Sequence, residues 1–126
     1  MNHLDGTTQE ALQALSHCAL TCHSMALVHC LEMGGAHTHP PHLRLMLDCA
    51  SVCTTTAELA GHKSQFHTQM AALCAVICET CAEACAALGD MEDCVAACQR
   101  CAAHCRTLAR AAHAEALDKG ASHAPS

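Results

Sequence analysis

The chain contains no tryptophan, no tyrosine and one phenylalanine among 126 residues. A core built on aromatic rings, the usual large apolar filling of a small domain, is therefore excluded. Cations are scarce as well: six Lys and Arg stand against 12 Asp and Glu, for a formal charge of -6. Grip on a phosphate backbone needs clustered cations that release counterions, so nucleic acid is not a partner. The opening residues MNHLDGTTQEALQAL lack a basic n-region, a continuous apolar h-region and a small-residue cleavage site. The longest unbroken apolar run, Met70 to Cys78, falls well short of the roughly 20 residues that span a bilayer. The expectation is a soluble, cytoplasmic chain with no membrane partner.

What the sequence has in excess is sulfur and imidazole, with 13 Cys and 12 His. Cytosolic thiols stay reduced, so an odd and high cysteine count points to metal or redox chemistry before a disulfide framework. The length suits one domain spanning 1–126. The six Gly and three Pro fall where helices should start or stop. Thr7 with Glu10 reads as a capping box opening a helix over about 8–33, ended by Gly34-Gly35. Pro41 suits the first turn of a second helix over about 41–60, before Gly61. Ser64 reads as the cap of a third, over about 64–88, and Asp90 as the cap of a fourth, over about 90–118. The tail 119–126 reads as frayed. Four helices with short links predict an all-α, antiparallel up-down-up-down four-helix bundle.

The segments CAVICETCAEAC (74–85) and CVAACQRCAAHC (94–105) share the spacing C-x3-C-x2-C-x3-C. Steps of four, three and four residues keep side chains on the stripe that faces a bundle axis. The fourth helix offers Met91, Cys94, Cys98, Cys101, Cys105, Leu108 and Ala112. The third offers Cys74, Cys78, Cys81, Cys85 and Leu88, and the second Met46, Cys49 and Cys53. On the first helix the stripe runs Leu15, Cys18, Cys22, Met25, His29 and Met33. At 100° per residue Cys30 falls about 80° from the Cys22 line and is expected to face a neighbouring helix or the flank of the column. A Cys-lined core is the prediction.

One or two buried cysteines would be ordinary small hydrophobes; thirteen on one stripe pattern call for another reason. Disulfides do not suit neighbouring turns, because Cβ atoms about 5–6 Å apart exceed the roughly 3.5–4.5 Å that a bridge needs. Two metal–sulfur bonds of about 2.3 Å fit the gap, so C-x3-C on a helix acts as a two-thiolate clamp. Thiolate and thioether ligands select Cu(I), Zn or iron–sulfur clusters, and of these Cu(I) accepts the lowest coordination numbers. Zinc favours closed tetrahedral sets, and the C-x2-C-x2-C iron–sulfur run is absent. The pairs Cys78/Cys81 and Cys98/Cys101 lie inside longer ladders with no βαβ pattern around them, against a redox dithiol. A di-iron bundle needs Glu-x-x-His twice, and that motif does not occur. No nucleophile, base and substrate pocket is visible, so no enzyme is expected. The alternative kept open is a thiol redox, zinc or iron–sulfur module using a few of the cysteines.

With six such clamps, Cys18/Cys22, Cys49/Cys53, Cys74/Cys78, Cys81/Cys85, Cys94/Cys98 and Cys101/Cys105, the sequence resembles the bacterial copper storage proteins, specifically their cytosolic branch. The resemblance covers nearly the whole chain. It implies many Cu(I) ions inside each bundle, and commonly a tetramer of bundles. A chaperone or a small-molecule thiol is the expected copper donor. The second helix carries only two cysteines, which departs from better-endowed members. Apolar Leu20, Leu27, Leu31, Leu43, Leu45, Leu47, Val52, Leu59 and Leu73 lie off or beside the stripes and offer surface for packing between bundles. Among the histidines, His29 on the stripe and His104 beside Cys105 are candidate ligands, whereas His3, His17, His23, His62, His113 and His123 read as surface residues. Threading the helices at 1.5 Å per residue gathers Met33, His42, Met46 and Met91 at one end, beside His37 and His39. The other end is lined by Leu12, Leu15, Leu59 and Leu108, with His67 and Met70. Copper is expected to enter at the His/Met end.

Overall fold

In the computed structural model, which describes residues 4–123 and the side chains of 4–110, every regular element is helical. The helices are α1 (Gly6–Met33), α2 (Pro40–Gly61), α3 (His67–Leu88) and α4 (Glu92–His123), with a short 3-10 turn at Gly35–Thr38. Helix α1 packs on α2 and α4, and α3 packs on α2 and α4. Each helix thus touches its neighbours in sequence and the ring closes between α1 and α4, the arrangement of an up-down-up-down bundle.

Local chemistry sets the ends, in some places by residues other than those expected. Asp5, not a Thr7/Glu10 box, caps α1: its Oδ1 accepts from the Thr8 backbone N–H at 2.7 Å, which also holds the carboxyl below the usual range. Gly34, at φ 67°, supplies the positive dihedral that stops α1 and that a β-carbon would resist. Helix α2 runs through Gly61, and Lys63 at φ 55° makes the turn. Ser64 lies in that turn, where its Oγ accepts from the Phe66 N–H at 3.1 Å, so α3 begins only at His67. Asp90, at φ 56°, cannot cap α4, which begins at Glu92. At the far end α4 continues past 118 to His123, because one interior glycine costs only about 1 kcal/mol relative to Ala.

The largest departure lies inside α1. Residues Met25–His29 form a π turn between the α segments Gly6–Ser24 and Cys30–Met33. A π turn takes one more residue than an α turn, so everything after it falls back by about 100° of rotation. That cancels the expected offset of Cys30, which points to the axis and is fully buried together with Ala26. Met25 and His29 move to the flank, and Met33 is 47 % exposed. The stripe predicted through Met25, His29 and Met33 is therefore replaced by one through Ala26 and Cys30.

The remaining stripes fall where the heptad spacing puts them, with Met46, Cys49, Cys53, Thr56 and Ala60 inward on α2 and the cysteines of α3 and α4 inward throughout. Thr56 occupies the next inward position after Cys53 and satisfies its buried hydroxyl by donating to the Val52 carbonyl at 2.6 Å. Leu12, Leu15 and Leu108 close the end opposite Cys30, while Ala112 lies outside the described side chains. By length and mean hydropathy, 1.2 and 1.7, α1 and α3 could pass for membrane spans; much of that apolarity comes from Ala and Cys turned inward.

Removing Leu27, an exposed residue of the π turn, should restore continuous α geometry and place Cys30 seven residues after Cys22, so that its thiol stays on the axis. Native-state labelling with a thiol reagent should then modify Cys30 as slowly in the deletion variant as in the parent; rapid modification would show that the π turn is not what sets its register.

Candidate metal centre

All thirteen cysteines are free and fully buried, each with 0 % exposure. Their sulfurs contact one another across all four helices. On α1, Cys22 lies 3.4 Å from Cys98, 3.5 Å from Cys94 and 3.9 Å from both Cys18 and Cys49. Between α2 and α3, Cys49 meets Cys78 at 3.6 Å, and Cys53 meets Cys74 and Cys78 at 3.7 and 3.6 Å. Cys53 also reaches Cys101 on α4 at 3.6 Å, and Cys85 reaches Cys94 at 3.6 Å. Within a helix the C-x3-C pairs sit at 3.9 Å for Cys74/Cys78 and 4.0 Å for Cys81/Cys85.

Four quartets have all their sulfurs within 4.8 Å of one another: Cys22/Cys81/Cys94/Cys98, Cys18/Cys22/Cys49/Cys98, Cys18/Cys49/Cys53/Cys78 and Cys53/Cys74/Cys78/Cys101. In that order each shares two sulfurs with the next: Cys22 and Cys98, then Cys18 and Cys49, then Cys53 and Cys78. The result is one continuous edge-sharing ladder rather than separate pockets. Two metal–thiolate bonds of about 2.3 Å each span sulfurs up to about 4.6 Å apart, so neighbouring thiolates can share an ion without moving helices. Cys85 and Cys105 flank the ladder beside Cys81/Cys94 and Cys74/Cys101.

Cys30 stands apart at the mouth. Its Sγ lies 3.8 Å from the Met46 Sδ and 3.8 Å from the Met91 Sδ, a buried cap of one thiol and two thioethers. His42 adjoins this end, and its Nε2 is buried with no hydrogen-bond partner. Burial pulls the His42 imidazole below its ordinary pKa, so the ring is neutral at pH 7. Burial pushes the Cys30 thiol up. Hydrogen bonds from neighbouring thiols, and then burial, also push Cys22, Cys53, Cys78 and Cys98 up. These sulfurs therefore keep their protons, and a metal ion must displace them.

The structure gathers the thirteen cysteines, Met46 and Met91 along one axis, with His42 half-buried beside one end, and leaves other candidates outside it. His29 lies on the flank, with its Nε2 2.7 Å from the Asp90 carbonyl oxygen. His104 is half-buried on the flank beside Cys105. His17, His23 and His62 are exposed, while His3, His113 and His123 lie outside the described side chains. Spacing alone did not reveal the place of His37, buried in the 3-10 turn with its Nε2 3.1 Å from the Gly89 carbonyl oxygen.

A bundle whose axis is a ladder of thiols is decided as to family by sequence: residues 5–112 match the family described as copper storage protein. The chain belongs to the copper storage protein family. A crystal structure of a protein from Nitrosospira multiformis is similar at 43 % identity with a TM-score of 0.82, covering 85 % of this chain and 98 % of that one. The Cu(I)-bound copper storage protein BsCsp3 is similar at 30 % identity with a TM-score of 0.75, covering 82 % and 98 %. No curated protein matches. This member of the family keeps all of its cysteine sulfurs buried.

Because every thiol is buried, native-state alkylation should follow opening of the bundle rather than individual exposure. Mass spectrometry in rising urea should show all thirteen sulfurs modified together; progressive single modification would mean that parts of the column open independently.

Proposed function

We propose that residues 1–126 act as a single domain that stores Cu(I) in the cytoplasm, holding many cuprous ions on the thirteen thiolates without catalysing a reaction. The observation that carries this reading is the edge-sharing run of four buried sulfur quartets. A soft d10 ion is matched by thiolate and thioether donors, and a continuous ladder accommodates many ions, whereas a structural zinc needs one closed set. The Cu(I) in BsCsp3 supports the same assignment.

The bundle exists before the metal. Its helices are rich in Ala and Leu, good helix formers, and protonated thiols carry little of the burial penalty of charged ligands. Anaerobic titration of the reduced protein against a competing chelator should give roughly one ion per thiolate, released protons, and a stability that climbs with loading. Circular dichroism should show full helicity before any copper is added. One or two equivalents, or a preference for zinc, would instead support a thiol redox, zinc or iron–sulfur module.

Copper enters at the His/Met end. The neutral, unpartnered Nε2 of His42 and the thioethers of Met46 and Met91 are weak neutral ligands that can hand an ion to Cys30 and then to the ladder. A chaperone or a small-molecule thiol serves as donor. Replacing His42, Met46 and Met91 together should slow Cu(I) uptake in stopped-flow while leaving the number of ions bound nearly unchanged; unchanged uptake would rule out this entrance.

Bundles assemble into a homotetramer. Leu20, Leu31, Leu73 and Val76 are 72, 53, 50 and 57 % exposed, an apolar surface that favours packing between chains. Leu43, Leu45, Leu47 and Val52 instead pack against the core, so the interface rests on α1 and α3. A sedimentation mass well above the 13.2 kDa of one chain supports the assembly.

A further inference from the structure

The mouth is closed by contacts that supply no ligand to copper. His29 Nε2 lies 2.7 Å from the carbonyl oxygen of Asp90, and His37 Nε2 lies 3.1 Å from that of Gly89. A carbonyl oxygen only accepts, so both rings carry a proton on Nε2 and donate it. A nitrogen that carries a proton has no lone pair for a metal, so while these bonds stand neither ring ligates through Nε2. The rings also meet edge to face, with centroids 5.7 Å apart at 84°.

Together they hold two successive carbonyls of the turn between α3 and α4. Gly89 and Asp90 both have positive φ, 84° and 56°, a conformation that a residue such as Asp90 keeps only when its surroundings enforce it. The next residue is Met91, whose Sδ covers Cys30 at 3.8 Å. Cys30 and Met46 are fully buried and Met91 is 1 % exposed, so an ion reaches the ladder only if one of them moves. Met46 lies within α2, held by the backbone ladder of that helix. Met91 lies outside the helices, directly after a left-handed turn, and moves more readily.

We propose that His29 and His37 are positioning residues that latch the Gly89–Met91 turn shut over Cys30, so that release of this latch sets how fast a cuprous ion passes the mouth. The inference rests on the reading that copper enters at the His/Met end. The π turn of α1 serves it directly, since the rotation that turns Cys30 inward leaves His29 on the flank, in reach of Asp90.

The test uses the full chain and two double variants. His29→Gln with His37→Gln places an amide N–H near each Nε2 position and keeps a donor; His29→Leu with His37→Leu keeps bulk and removes it. Circular dichroism and the number of Cu(I) ions bound confirm that both fold and load. One hydrogen bond contributes about a factor of five to an equilibrium. The Leu pair should therefore raise amide hydrogen exchange at residues 89–92 of the copper-free protein roughly ten- to thirty-fold. It should raise Cu(I) uptake and chelator-driven removal by a similar factor, with the Gln pair near the parent. Unchanged exchange in the Leu pair overturns the latch. Equal slowing of uptake in both pairs also overturns it, by making the histidines ligands. Raised exchange with unchanged uptake overturns the gating role. The His42/Met46/Met91 variant then tells the two failures apart: if it still slows uptake, the entrance stands and only the latch has failed.

Discussion

Every other feature of this chain depends on thiol packing against thiol along a single axis. Sulfur contacts of 3.4–4.0 Å are ordinary van der Waals and weak S–H hydrogen-bond distances, so the column of thiols is a hydrophobic core in its own right. That dual character removes the usual conflict between a metal site and a stable interior, because an unmetallated carboxylate or imidazolium site would bury charge and a column of protonated thiols does not. The absence of large aromatics follows from the same constraint. Helices must approach closely enough for cysteines on all four to touch, and Ala, rather than Phe or Trp, fills the inward positions beside them.

The two ends of the column differ in what terminates it. At one end Leu12, Leu15 and Leu108 seal the axis with hydrocarbon; at the other, Cys30, Met46 and Met91 seal it with sulfur. Thioether sulfur therefore meets the column at one end only. Neighbouring thiols and burial hold the protons on Cys22, Cys53, Cys78 and Cys98 and so couple occupancy to proton release.

The π turn of α1 places several functional groups at once. Had α1 been continuous, His29 would have faced the axis and Cys30 the flank, and the mouth would have been closed by an imidazole rather than a thiol. One extra residue in the turn interchanges them and sets His29 against the backbone of Asp90. Register, and not composition, thus decides which of the two groups lies on the axis and which on the flank.

By itself the sequence determined the bundle, the inward face of α2, α3 and α4, and the sulfur lining, because heptad steps of cysteine and well-placed Gly and Pro are local signals that tertiary packing has no cause to override. It also placed Met46, Met91 and His42 at one end, since helix length at fixed rise converts directly into position. Only the tertiary structure decided the phase of α1 beyond Ser24, for a π turn forms in response to packing and carries no residue signature of its own. The cap at Asp5, the left-handed Lys63 and Asp90 and the seating of His37 were likewise hidden. Each depends on where a backbone group from a distant or neighbouring turn comes to rest, a matter of three-dimensional register that the spacing along one helix does not contain.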